Sequence, residues 1–228
     1  MQTVAFCEPN KFCQAVLHKH WPDVPIYEDV RDLSATRLAN DGIRFDVICG
    51  GFPCQDISTA GKGAGLAGER SGLWWEYHRL IAETRPTWVI AENVSVLRSR
   101  GLDDVLRSLA EIGYDAEWHC IPASALGAPH RRDRIWIVAY PSSIRPQGSG
   151  LLGRPVSTTS NPNRETNWTF GCGEKRTGAW DVEPNVGRVA DGVPNRLDRL
   201  KSLGNAVVPQ IPQIFGEIMM RLSCEDTK

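Results

Sequence analysis

The sequence predicts an α/β fold in which a parallel sheet is wrapped by helices. Two observations carry that expectation. Over the first 140 residues, short apolar runs alternate with longer helix-like segments, the order expected of βα units. From residue 141 to about 195 this period is lost, and Ser, Pro, Gly, Thr and Arg dominate with scattered tryptophans, the composition of a loop-rich region.

Five runs read as strands: TVAFCE (3–8), FDVICGG (45–51), TWVIAENV (87–94), DAEWHCIP (115–122) and RIWIVAY (134–140). Helices are expected over 9–20, 72–83 and 102–112, the last with apolar residues at 102, 105, 106, 109 and 112 on one face. A final helix over 209–222 follows LGNAVVPQ and carries apolar positions 211, 214, 215, 218, 219 and 222, a face suited to pack back onto the sheet. The chain therefore divides into a catalytic-type α/β domain (1–140), a variable region (141–187) and a C-terminal segment (188–228).

Length and composition set the outer limits. With 228 residues and 41% hydrophobic content, the chain can build one globular domain with a substantial core. No stretch approaches the roughly 20 apolar residues of a membrane span, and the N-terminus lacks a signal-like apolar core; a cytoplasmic location with no membrane partner is expected. The 7 cysteines include no C-x-x-C pair, so neither a disulfide framework nor a metal site is expected. Residues 1–140 carry 15 Lys and Arg against 18 Asp and Glu, whereas residues 141–228 carry 11 against 9. The second part is mildly basic, which permits a polyanionic partner without requiring one.

Chemistry-bearing residues collect at strand ends. Cys54, in GGFPCQDIS, follows the second apolar run, where open α/β sheets place ligands. An isolated cysteine is more often a small buried hydrophobe, but Pro53 and the glycines mark a fixed loop. Glu92 and Asn93 end the next run, so a carboxylic acid emerges on the same sheet edge; alone, such an acid often caps the following helix. In HRRDRIWIVA, strand alternation places Arg132 and Arg134 on one face with Arg131 opposite, although solvated arginines are an equal reading.

Taken in order, GFPCQDIS, ENV, HRRDRIWIVA and LGNAVVPQ resemble the DNA cytosine-5 methyltransferases, over residues 3–140 and again over 188–220. The resemblance implies a Rossmann-like S-adenosylmethionine-dependent methyltransferase sheet with a small target-recognition region. It also implies why these residue types occur together. Cytosine C5 is too weak a nucleophile to take a methyl group unaided, so a thiolate must first add at C6. By resemblance Cys54 is that nucleophile, with Gln55 beside it in the same motif. Glu92 hands a proton to ring N3 or shares one. Arg134 stabilises the flipped ring, Arg132 supports it or the adjacent phosphate, and Asn93 orients the acid's loop. Double-stranded DNA is the implied partner, with the target base turned out of the helix at a cost of a few kcal/mol, and restriction-modification is the implied setting.

The same resemblance assigns the cofactor, S-adenosyl-L-methionine, to Glu8 (ribose hydroxyls), Asp29 (adenine edge) and Val30 (adenine face). Phe52, Pro53 and Leu73 line its pocket, and Asn205 with Ala206 close it from the C-terminal side. Glu8 read alone is a neighbour of a helix N-cap, and Asp29 ordinary loop polarity. Family members place a strand and a Phe-x-Gly-x-Gly loop before the segment matching 3–8; here Met1 stands at that place. The resemblance puts that strand between those matched by 3–8 and 45–51, so a gap in the sheet is expected, either because the sequence is a truncated reading frame or fragment or because a separate chain supplies the element. The variable region carries Arg145, Arg154, Arg164, Lys175 and Arg176 with Trp168 and Trp180, as a small DNA-reading segment would. Three other readings stay open: an RNA cytosine-5 methyltransferase of the same fold, a catalytically impaired DNA-binding fragment, and a cysteine hydrolase, for which only His130 has a motif setting.

Overall fold

The computed structural model describes residues 1–52, 72–144 and 205–225. The calls on Pro53, Cys54, Gln55, most of the variable region and residues 188–204 lie outside the described residues.

The chain opens with a small parallel unit, β1 (Phe6–Cys7), α1 (Lys11–His20) and β2 (Ile26–Tyr27), in which Phe6 pairs with Ile26 and Cys7 with Tyr27. Asn10 starts α1 because its side-chain oxygen accepts from the Phe12 and Cys13 amides at 2.9 and 3.2 Å. His18, Lys19 and His20 in the last turn suit the negative end of the helix dipole. A one-turn 3-10 segment (Val30–Asp32) and α2 (Ala35–Asn40) lead into the second sheet.

That sheet has four strands in the order β3-β4-β6-β5, with β3 (Val47–Gly51), β4 (Trp88–Val94), β5 (Tyr114–Ile121) and β6 (Arg134–Pro141). Between them run α3 (Leu73–Thr84), the short α4 (Leu97–Arg100) and α5 (Leu102–Glu111); α6 (Gln210–Glu225) closes the described chain. Arg85, left-handed at φ 51°, ends α3, and Pro86 next to it bars continuation of the helix. In α5 the residues at 102, 105 and 109 are buried, the face the periodicity predicts.

The parallel sheet expected from the sequence needs correction. β3 and β4 are parallel, but β6 runs antiparallel to both β4 and β5. A parallel return needs a covering crossover, normally a helix; the link from β5 to β6 contains only a 3-10 turn (Ala123–Leu126), so the chain reverses. The expected strand over 3–8 shrinks to two residues, and β2, α2 and α4 are additions.

Two apolar layers flank the sheet, as the two-residue period of a strand requires. Val89, Ala91, Ile135 and Ile137 face α3 and α5 in a core with Trp74, Ile81, Val105 and Leu109. Trp88, Ile90, Trp136 and Val138 face the other way, onto Ile211, Phe215 and Met219 of α6. The C-terminal helix thus packs back on the sheet. A third cluster, Leu33, Leu38 and Leu80 with Tyr27, Phe45 and Ile48 against it, joins the β1–β2 unit to the main sheet through α2 and α3.

β3 is the edge strand of the four-stranded sheet and is not paired with β1. Although its sequence is VICGG, Cys49, Gly50 and Gly51 are exposed, while the first four residues of β4 beside it are buried. The segments leading into β1 and β3, residues 2–4 and 42–44, line a common cleft of about 350 Å³ with Asp23 and Val24.

Candidate active site

The end of β4 organises the site. Register pairs Gly51 of β3 with Glu92, and Glu92 with Trp136 of β6; Arg134 opens β6 opposite Val94. Because Trp88 and Ile90 face α6, Glu92 two residues on shares that face, and so does Arg134, two residues before Trp136. Their side chains meet: Arg134 Nε lies 3.0 Å from Glu92 Oε1, with 20% and 16% of the two side chains exposed. Burial pushes the Glu92 carboxyl above its ordinary value, while the positive charges of Arg134 and Arg132 oppose the shift. A carboxyl held up in this way is better suited to hand over a proton near neutral pH than a solvated glutamate.

Space for Glu92 depends on Gly51. A Cβ built on Gly51 would stand 3.2 Å from Glu92 Oε2 and 3.3 Å from the Glu92 carbonyl oxygen. The absence of a side chain at the end of β3 therefore lets the carboxylate lie against the neighbouring strand.

Asn93 is 3% exposed and turns toward β3. Its Nδ2 donates to the Phe52 carbonyl at 3.2 Å, and its Oδ1 accepts from the Val94 amide at 2.8 Å. The acid's strand is thereby tied to the backbone that leads into Pro53 and Cys54. Phe52 is held further by Trp74 of α3, ring centroids 5.2 Å apart, and Trp74 in turn donates to Ser108 Oγ at 3.2 Å. Leu73 begins the same helix.

Arg132 reaches this site by another route than expected. It precedes β6 with a left-handed backbone at φ 34°, so strand alternation does not govern where its side chain lies. Its Nη2 donates to the carbonyl of Ala206, just before α6. Burial and the nearby Arg134 lower its pKa, and Glu92 opposes that.

Of the residues assigned to the cofactor, Glu8 and Asp29 cluster around Cys7, whose thiol is raised to about 11 first by burial and then by the charges of Asp29 and Glu8. Each stands at the carboxyl end of a parallel strand. Glu8 Oε1 accepts from the Asn10 amide at 2.8 Å, supporting the start of α1. Asp29 accepts from the Arg31 amide at 2.9 Å and grips its guanidinium, which holds the carboxyl at about 2. Val30 contributes its carbonyl to Arg79 of α3 at 3.3 Å. One helix, α3, thus touches both groups, Phe52 through Trp74 and Val30 through Arg79. Asn205 and Ala206 are exposed and lie on the Arg132 side. Two carboxylates at strand ends suit the hydroxyls and amine of a nucleoside, and apolar Phe52 and Leu73 suit its flat base; the residues present fit S-adenosylmethionine. Among the described residues, no group of three or more His, Cys, Asp or Glu side chains is placed to hold a metal ion, and no helix is long and apolar enough to cross a membrane.

Sequence reasoning missed Gly51 as a site residue and the link from Arg132 to Ala206. The first was signalled by the paired glycines before FPCQ; the second had no local signal.

A partly parallel sheet with its acid and arginine at one strand end and two carboxylates after the strands of a second, parallel pair defines an open α/β chain with its polar side chains gathered at strand ends. Solved structures share the fold: a variant of Spodoptera frugiperda DNMT2 matches with TM-score 0.51 and 17% identity over 62% of this chain and 43% of that one. The Entamoeba histolytica methyltransferase EhMeth matches with TM-score 0.51 and 12% identity over 61% and 53%. The C-5 cytosine-specific DNA methylase family matches residues 1–185, and the chain belongs to that family. Among curated relatives, type II methyltransferase M2.BsuMI of Bacillus subtilis (strain 168) is 33% identical over 145 residues, 60% of this chain and 36% of the relative. Type II methyltransferase M.CviJI of Paramecium bursaria Chlorella virus IL3A is 33% identical over 145 residues, 63% and 39%. The chain spans little more than a third of the length of these relatives.

Proposed function

We propose that this chain carries the catalytic residues of a DNA cytosine-5 methyltransferase acting on double-stranded DNA with S-adenosyl-L-methionine. The observation that carries the reading is the half-buried Glu92–Arg134 pair, 3.0 Å apart, at the strand end whose Asn93 holds the backbone two residues before Cys54. Cys54, as thiolate, adds to C6 of a cytosine turned out of the helix, and Glu92 supplies a proton to N3, so the electron pair collects at C5. When bound, S-adenosylmethionine would supply the methyl group that C5 takes, with S-adenosylhomocysteine as the leaving group. The proton on C5 then departs to a base, the returning pair expels the Cys54 thiolate, and N3 gives its proton back to Glu92, which restores the neutral ring. Arg134 holds Glu92 and the ring oxygen side of the pocket; Gln55 stands next to the nucleophile in the same loop. Glu8, Asp29 and Val30 take the nucleoside half of the cofactor, with Phe52, Pro53, Leu73, Asn205 and Ala206 around them. The variable region, 141–187, reads the DNA site.

In the complete enzyme the sheet gains a parallel strand between β1 and β3 that carries a Phe-x-Gly-x-Gly loop. Support comes from the edge of β3, which has no partner strand among the described residues, the exposure of its Cys49, Gly50 and Gly51, and the cleft shared by the segments entering β1 and β3. An unpaired strand edge recruits another strand.

The test is transfer of a labelled methyl group to duplex DNA and to transfer RNA, with and without a peptide bearing the strand and loop. Label on cytosine C5 in DNA, raised by the peptide, is expected. Label confined to RNA would replace the substrate, and cofactor binding without transfer to either would overturn the enzyme reading.

A further inference from the structure

Arg132 holds a non-glycine residue in left-handed backbone, φ 34°, a conformation that costs about 1 kcal/mol or more and persists only where the surroundings fix it. What that turn achieves is visible in its partner: the guanidinium crosses 74 residues of sequence to the Ala206 carbonyl, in the exposed stretch just before α6. Two residues later Val208 is buried with Ile211 and Phe215 against Trp136 and Ile121, so the segment pinned by Arg132 is the stretch through which the chain enters α6 and its seat on the sheet. The seat and the Glu92–Arg134 pair share one face of β4 and β6. The charge of Arg132 also acts on both members of that pair.

We infer that Arg132 is a positioning residue that fastens the start of α6 over the Glu92–Arg134 pair, so that closing residues 205–208 and ordering the acid are one event. Resting on the proposed methyl transfer, this assigns Arg132 to coupling the side of the site holding Asn205 and Ala206 to the side that handles the base. A charged donor to a carbonyl is among the stronger neutral-acceptor hydrogen bonds, and the planar fork of arginine fixes direction in a way that lysine does not.

Amide hydrogen exchange reads the fastening without any need for turnover. Ile211 and Gln213, in the first turn of α6, donate to the Val208 and Pro209 carbonyls. In Arg132→Ala those amides should exchange about tenfold faster or more, while amides in the centres of β4 and β6 keep their rates. Arg132→Lys, which keeps one donor and the charge, should fall between, and serves if the alanine variant does not fold. In methyl transfer, the KM for S-adenosylmethionine should rise more than kcat falls. Unchanged exchange at Ile211 and Gln213 in both variants would overturn the inference, as would an equal increase across β4, β6 and α6, which marks a general loss of stability. If exchange responds locally but the unaltered protein transfers no methyl group, the fastening stands and the enzyme reading fails.

Discussion

Replacing Asn93 by alanine should loosen the connection between the acid's strand and the loop that carries Cys54. The side chain is buried and makes two bonds, to the Phe52 carbonyl at 3.2 Å and from the Val94 amide at 2.8 Å. Alanine removes both partners at once and leaves two backbone groups short of a bond. Each unmet buried polar group costs about 1–3 kcal/mol, and Val94 is half-buried, so water can satisfy part of its need. A loss of about 2–3 kcal/mol follows, equivalent to a melting temperature lower by roughly 5–10 °C for a chain of this size. Urea unfolding followed by tryptophan fluorescence is the assay, because Trp74 packs on Phe52 and senses its release. The slope with urea should stay constant while the midpoint falls. A stability change below about 0.5 kcal/mol, the range of ordinary surface substitutions, would refute the reasoning and reduce Asn93 to a filler of the β3–β4 seam.

Gly51→Ala should cost about 1–3 kcal/mol by overpacking, since its Cβ meets Glu92 Oε2 at 3.2 Å and the Glu92 carbonyl oxygen at 3.3 Å; a neutral urea midpoint would show that Glu92 can shift without penalty. Glu92→Gln should slow methyl transfer far more than it weakens DNA binding, because the amide keeps the shape but carries no acidic proton; equal losses would mark Glu92 as structural only. Burial raises the Glu92 pKa, so its carboxyl favours the fold when protonated, and that contribution disappears as pH climbs from the ordinary value of 4.5 through the raised one. The unaltered protein should therefore lose stability relative to Glu92→Gln over that interval, and a difference independent of pH in denaturation series would contradict the assignment. Cys54→Ser should leave cooperative unfolding in place and abolish turnover, since a serine hydroxyl is a far weaker nucleophile at neutral pH; turnover by the purified serine variant would remove Cys54 from the mechanism.

The strands that bear the site were legible as apolar runs bounded by turn residues: VICGG and WVIAENV fall within the expected 45–51 and 87–94, although only β4 is buried on both faces. α5 and α6 were legible from their 3.6-residue period. β2 was not, since two residues between Pro25 and Glu28 carry no period to read. Nor was the reversal of β6, because an apolar run specifies burial and not direction; only the helix-poor link before it hints at the turn. Glu92 and Arg134 were found through strand ends, yet their contact depends on register, which sequence pattern leaves open. Arg132 shows the limit most plainly. Period-two reasoning does not apply to it, since β6 begins only at Arg134, and its bond to Ala206 is a long-range contact that no local pattern encodes. Glu8 stands at the end of the expected first strand and Asp29 just after β2, which was not foreseen, while the bonds to Asn10 and Arg31 also give each a structural role.

The central claim is that Cys54 attacks cytosine while Glu92 and Arg134 hold the ring. An oligonucleotide duplex with 5-fluorocytosine at the target tests it directly, because fluorine at C5 cannot leave as a proton and the thiol cannot be expelled after methylation. With S-adenosylmethionine and the strand-bearing peptide present, the account predicts a denaturation-resistant protein–DNA adduct whose digest carries the modified base on Cys54. Methylation of ordinary cytosine by a sample that forms no such adduct would contradict it.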